Sequence, residues 1–182
     1  MHRESQSGLR NLLHRLFAWL WRAQRAEFTY PRTMDKLDRV LIILPRRLDA
    51  VKLVRRWRER IIFAAGKRKI VPLSLAVPLE FLEEWSDEHL FFTDADVNSM
   101  GIASKRIIDA VKEGDFKLAI DLSPDFDFVT AQVPLRAKIP ARIGIANEKT
   151  TRIGEKYFNI LLCRSRQLDY ENIAKLIGAG RL

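Results

Sequence analysis

A chain of 182 residues is long enough for one sizeable core with a short appendage, and too short for two full domains. With 47% hydrophobic residues, four Trp and ten Phe it reads as globular, and no run reaches the ~18 uninterrupted apolar residues of a membrane span. The net charge of +9 lies at one end: residues 1–60 hold 15 Lys and Arg against 6 Asp and Glu, and the remainder balances at 17 of each. Such a distribution points to an electrostatic contact made by the front of the molecule rather than to general nucleic-acid binding. The lone cysteine, Cys163, excludes an intrachain disulfide, fits a reducing compartment and reads as a small buried hydrophobe.

Residues 1–8 are polar. The next stretch, 9–28, places Leu9, Leu12, Leu13, Leu16, Trp19 and Leu20 on one side at 100° per residue, with Phe17 at its edge and Arg15, Arg22 and Arg25 opposite. This predicts a basic amphipathic helix over residues 1–30. Its apolar face suits an anionic membrane surface, and suits equally well a partner protein or the chain's own core. A cleavable signal peptide fits poorly, because arginines interrupt the apolar run.

After the connector Tyr30–Thr33 an α/β domain is expected over 35–182. RVLIIL at 39–44 reads as a buried strand ended by Pro45, and Asp49 as the N-cap of a helix running to Arg60. Ile61–Ala65 and Lys69–Leu75 compete for the second strand. Pro78 suits the first turn of a short acidic helix, and His89–Thr93 reads as a strand. Asn98-Ser99 would cap a helix over Met100–Lys112 closed by Gly114.

Lys117–Leu122 follows, apolar almost without alternation, as expected of a strand covered on both faces. Ser123-Pro124 stops it, a short helix fits the next residues, and Arg142–Ile145 is the following strand. A polar loop over 146–156, a strand over Tyr157–Cys163 and a helix over Asp169–Ile177 finished by Gly178 complete the order. Alternation at this spacing predicts a single Rossmann-like α/β domain, its largely parallel sheet flanked by helices.

Chemistry-bearing residues gather at the ends of the predicted strands, where open parallel sheets bind ligands. These are Arg46 and Arg47 after the first, Asp94 and Asp96 after the third, and Asp121, Asp125 and Asp127 after the fourth. The arginine pair could meet a phosphate or carboxylate; the aspartates could equally form turns and caps. His2, His14 and His89 have no ligand spacing to one another or to Cys163, so no metal is expected, and no Gly-rich phosphate loop calls for a nucleotide cofactor.

The segments 39–60, 116–145 (FKLAIDLSPDFDFVTAQVPLRAKIPARIGI), 157–162 and 170–180 resemble, in order and content, the N-terminal acceptor-side half of the heptosyltransferase-like glycosyltransferases. These are GT-B enzymes of glycosyltransferase family 9 that build the inner core of lipopolysaccharide. The resemblance covers roughly residues 36–180. It implies an anionic glycolipid acceptor and, by position, a general-base role for Asp49; of the strand-end residues, Arg46, Arg47, Asp121 and Asp125 are the ones expected to bind such a substrate. The family's Gly-Asp loop is altered here to Pro45-Arg46-Arg47-Leu48-Asp49, and the chain stops at Leu182, about where the family's donor-binding domain would begin. The expectation is therefore a cytoplasmic acceptor-like domain, peripheral at the inner face of the membrane or held in a complex. It would bind or scaffold rather than catalyse alone, or else pair with a separate donor-domain chain.

Overall fold

The computed structural model describes residues 37–75, 79–163 and 169–178, together with Leu16 and Leu20. Six strands form one sheet: β1 (Arg39–Ile43), β2 (Lys69–Leu75), β3 (Leu90–Phe92), β4 (Leu118–Asp121), β5 (Ala141–Ala146) and β6 (Ile160–Cys163). Their order is β3-β2-β1-β4-β5-β6, and every pairing is parallel. The chain thus builds outward from β1 to β3, returns to lay β4 against the other side of β1, and builds outward again. This is a Rossmann-like α/β domain, as the alternating pattern predicts.

The strands carry little alternation because both faces are covered. On one face α1 (Leu48–Arg55), α2 (Arg58–Ala65) and α7 (Asp169–Gly178) pack Val54, Ile61, Ala65 and Ile173 against Val40, Ile42, Leu118 and Ile120. On the other, α4 (Lys105–Glu113) and α5 (Phe128–Arg136) pack Ile107, Ile108, Val129 and Val133 against Leu41, Ile43, Leu73 and Ala119. Short helices α3 (Glu80–Glu83) and α6 (Thr151–Gly154) fill connections.

Several elements depart from the sequence reading. Asp49 is not an N-cap: α1 begins at Leu48 with Arg47 in the capping position, which leaves Asp49 inside the first turn. The single helix expected to Arg60 is two, because Arg56 and Trp57 close on Leu53 and Val54 with i→i−3 bonds. The break lays α2 against α7, where Ala64 meets Gly178 and Arg68 donates to the Ile177 carbonyl. Ile61–Ala65 is helical, ended by Gly66 at φ 64°, and Lys69–Leu75, which carries Ile70 and Val71, is the strand.

Asn98-Ser99 caps no helix. The Asn98 Oδ1 accepts from the N–H groups of Met100 (3.0 Å) and Ile102 (2.9 Å), and a Val97–Ala103 bridge closes this loop. The local side-chain bonds outcompete helix there. Helix α4 starts only after Ser104, whose hydroxyl takes the Ile107 N–H. The expected polar loop after β5 contains α6, and the last strand begins three residues later than predicted, at Ile160.

Of the stretch expected to form an N-terminal helix, Leu16 and Leu20 are described. Both are helical and exposed. Leu9, Leu12, Leu13, Arg15, Phe17, Trp19, Arg22 and Arg25 lie outside the described residues, as does Pro78, and nothing is described of the Cys163 side chain.

Candidate binding crevice at the sheet switch point

Because the chain leaves β1 in one direction and β4 in the other, the loops at their carboxyl ends diverge and leave a gap between them. Ile43 and Asp121 are register partners, so the two strands end level with each other and the gap opens directly above them. A cavity of about 530 Å³ lies there, walled on one side by Pro45, Arg46, Arg47, Asp49 and Leu53 and on the other by Ser123 to Phe128. A neighbouring cavity of about 480 Å³, lined by Asp94, Asn98, Met100 and Gly101, shares Arg46 and Phe128 with the first. The two are lobes of one crevice.

Arg46 stands between the lobes. Its Nη2 reaches Asp94 Oδ1 at 3.0 Å, while its Nε is buried without a hydrogen-bond partner. Arg47 points into solvent and grips Asp49 with two bonds, Nε to Oδ1 at 3.1 Å and Nη2 to Oδ2 at 2.6 Å. The hydrogen bond from Arg47 holds the Asp49 carboxyl below its ordinary pKa. A carboxylate so stabilised is a weak proton acceptor.

The opposite wall is the Asp125-Phe126-Asp127-Phe128 run. Asp125 accepts from the Asn147 amide at 2.9 Å, and Asp127 caps α5 by accepting from Val129 N at 2.8 Å. Phe126 and Phe128 stand on a buried aromatic base. Tyr157 lies 5.3 Å from the first ring and 6.1 Å from the second, and Phe158 6.5 Å from Phe126. Under this base the Arg142 side chain is buried and donates from Nε to the Tyr157 carbonyl at 2.7 Å and from Nη1 to that of Ile139. Burial lowers its pKa to about 10.

Asp121 lies below the crevice floor. It is 2% exposed; its carboxylate accepts from the Ser123 N–H (2.9 Å) and the Thr130 hydroxyl (2.6 Å). Burial pushes its pKa up to about 6, against the opposing pull of those two bonds. Tyr170 of α7 ties down the same strand end by donating to the Leu122 carbonyl at 3.0 Å.

Four of the five residues singled out around the substrate, Arg46, Arg47, Asp49 and Asp125, line this crevice; Asp121 supports its floor instead. Asp94 joins through Arg46, whereas Asp96 is taken up by Arg106 and the Thr93 N–H. Sequence reasoning did not single out Phe126, Phe128, Asn147 or Met100 for the site. The alternating Asp-Phe-Asp-Phe run was the available signal for the first two. Among the described residues no group of three or more His, Cys, Asp or Glu is placed to hold a metal, and no helix is long and apolar enough to cross a membrane.

Fold and crevice together define a Rossmann-like domain with an open, mixed-charge cleft at its topological switch point. No family model matches the chain, and no curated protein or solved structure does.

Proposed function

We propose that the protein is a glycosyltransferase-like acceptor domain, not catalytic by itself, that binds an anionic glycolipid headgroup in the switch-point crevice and acts as a binding or scaffolding protein. The observation that carries this reading is the convergence of Arg46, Arg47, Asp49 and Asp125 on one cleft beside two phenylalanine rings. Arginines suit phosphate or carboxylate oxygens, aspartates accept from sugar hydroxyls, and rings cover apolar sugar faces. The absence of autonomous catalysis is supported by the mismatch between position and basicity. Asp49 is reachable but tied to Arg47 with a lowered pKa, and Asp121 has a pKa near 6 but is sealed from the crevice.

The exposed Leu16 and Leu20 support contact of the 9–28 stretch with the inner face of a membrane or with a partner chain. The reading is tested by calorimetric titration with a sugar phosphate and its neutral parent sugar. Binding of the phosphate, weakened tenfold or more in Arg46→Ala/Arg47→Ala, is expected, without sugar transfer from a nucleotide donor. Undiminished binding in the double variant overturns it, as does transfer by the purified chain.

A second reading, that the chain is the acceptor subunit of a split glycosyltransferase with a separate donor-binding chain, is favoured by the solvent-open position of Asp49 on the crevice wall. Restored transfer on adding such a chain, lost again in Asp49→Asn, is the result that selects it.

A further inference from the structure

The outer face of the α1–α2 layer carries apolar and cationic side chains that the fold leaves uncovered. On α1 and its C-cap, Leu48, Lys52 and Arg56 recur at i, i+4 and i+8 opposite the buried Ala50, Val51 and Val54, with Leu53 on the flank. On α2, Phe63 projects opposite the buried Ile61 and Ala65. Leu48 is 47% exposed, Leu53 39% and Phe63 81%, an unusual state for three large apolar residues in two consecutive helices.

Around them Lys52, Arg56 and Lys67 make no ion pair with the described residues, and Arg60 rests over the Trp57 ring at 4.9 Å. The acidic residues of the layer are fewer: Asp49 is already neutralised by Arg47, and Glu59 lies 3.9 Å from Arg58.

We infer that this face docks on an anionic lipid surface. Uncovered Leu and Phe side chains supply apolar area for the headgroup boundary, and the surrounding Lys and Arg supply the attraction to acidic lipid. Charge selects this occupant. The chain's own 9–28 stretch carries Arg10, Arg15, Arg22 and Arg25 against Glu27, and a second copy would bring the same cations, so neither offers the anionic groups that would match Lys52, Arg56 and Lys67. A nucleic acid would need stacking aromatics, and Phe63 is the only aromatic side chain the layer exposes that far. The surface borders the crevice, since Asp49 and Leu53 line its wall, so docking brings the opening to headgroup level. This extends the proposed membrane placement with a surface separate from residues 9–28.

The test is flotation of the full-length protein with vesicles of phosphatidylcholine alone and with added phosphatidylglycerol. The wild type should float only with the acidic vesicles. Lys52→Glu/Arg56→Glu should lower the bound fraction tenfold or more and Phe63→Ser severalfold, with circular dichroism unchanged because all three side chains are outside the core. Leu16→Glu/Leu20→Glu separates the two contacts. If that variant abolishes flotation and the α1–α2 variants float like the wild type, the inference fails and the 9–28 contact stands. If only the α1–α2 variants fail to float, the inference stands and the 9–28 contact falls, and loss in both supports two contacts. Equal flotation on neutral vesicles overturns it, as does retention of a single-stranded oligonucleotide without vesicle binding.

Discussion

Replacing Asp121 by Asn tests the account of the crevice floor through the pH dependence of stability. The carboxyl is 2% exposed and its pKa stands at about 6 against an ordinary 3.8, because burial disfavours the charged form and the charge of Asp127 adds to this. The folded protein therefore binds this proton more tightly than the unfolded chain does. Its contribution to stability is fully present below about pH 3.8, declines as pH rises, and is lost above about pH 6. At about 1.4 kcal/mol per pH unit the step amounts to about 3 kcal/mol. Asparagine cannot ionise but keeps an oxygen for the Ser123 N–H. The Thr130 hydroxyl, 3.2 Å from the Asp127 carbonyl, can turn its proton there. The variant should thus gain about 3 kcal/mol relative to the wild type between about pH 4 and pH 7, offset at every pH by a constant of about 1 kcal/mol for the altered hydrogen bond. Urea denaturation at several pH values, followed by circular dichroism, measures the difference. Parallel profiles, or a difference that grows toward acid, would refute the assignment of the raised carboxyl to Asp121.

Gly144→Ala should destabilise the crevice wall from behind. An added Cβ would stand 2.6 Å from Cδ2 of Phe158 and closer still to two other ring carbons, so the ring must shift and disturb Phe126. A cost of about 1–3 kcal/mol corresponds to a melting temperature lower by roughly 3–10 °C, and an unchanged melting curve would count against the packing described. Arg142→Met should cost about 2–4 kcal/mol, since it strips a buried charge-assisted donor from two carbonyls; denaturant titration reads this directly. Asp49→Asn should leave the unfolding midpoint where it is, because the carboxylate and Arg47 are both largely in water. A marked loss in that variant would mean Asp49 holds α1 in place.

The architecture was legible where burial forces a simple pattern. β1, β4 and β5 are short apolar runs cut off by Pro45, Pro124 or a polar turn, and a sheet covered on both faces permits little else. It was illegible where the competing interactions are close in energy or lie off the local sequence. Ile61–Ala65 has no periodicity that separates strand from helix, and its helical state follows from packing on α7 more than a hundred residues later. Asn98 carries a helix-capping side chain but spends it on its own loop, because Val97 pairs with Ala103 and not with a neighbouring strand.

The site divides along the same line. Proximity in the chain was enough to bring Arg46, Arg47 and Asp49 together, since three residues after a parallel strand must leave from its carboxyl end. What each can do depends on contacts from afar. Arg46 is held by Asp94, 48 residues away, and Asp121 is hidden by Thr130 of the following helix. Sequence position marks Asp49 and Asp121 as similar candidates, each an aspartate at a strand end. Solvent separates them: water and Arg47 favour the ionised form of the first, and burial raises the pKa of the second to about 6. Exposing Asp121 would remove the burial that makes it basic, so the route to a more basic carboxylate within reach of the crevice is the release of Asp49 from Arg47. The Arg47 pair is the weaker constraint, being largely in water, so Arg47→Ala is the change that should raise the pKa of Asp49 toward its ordinary value.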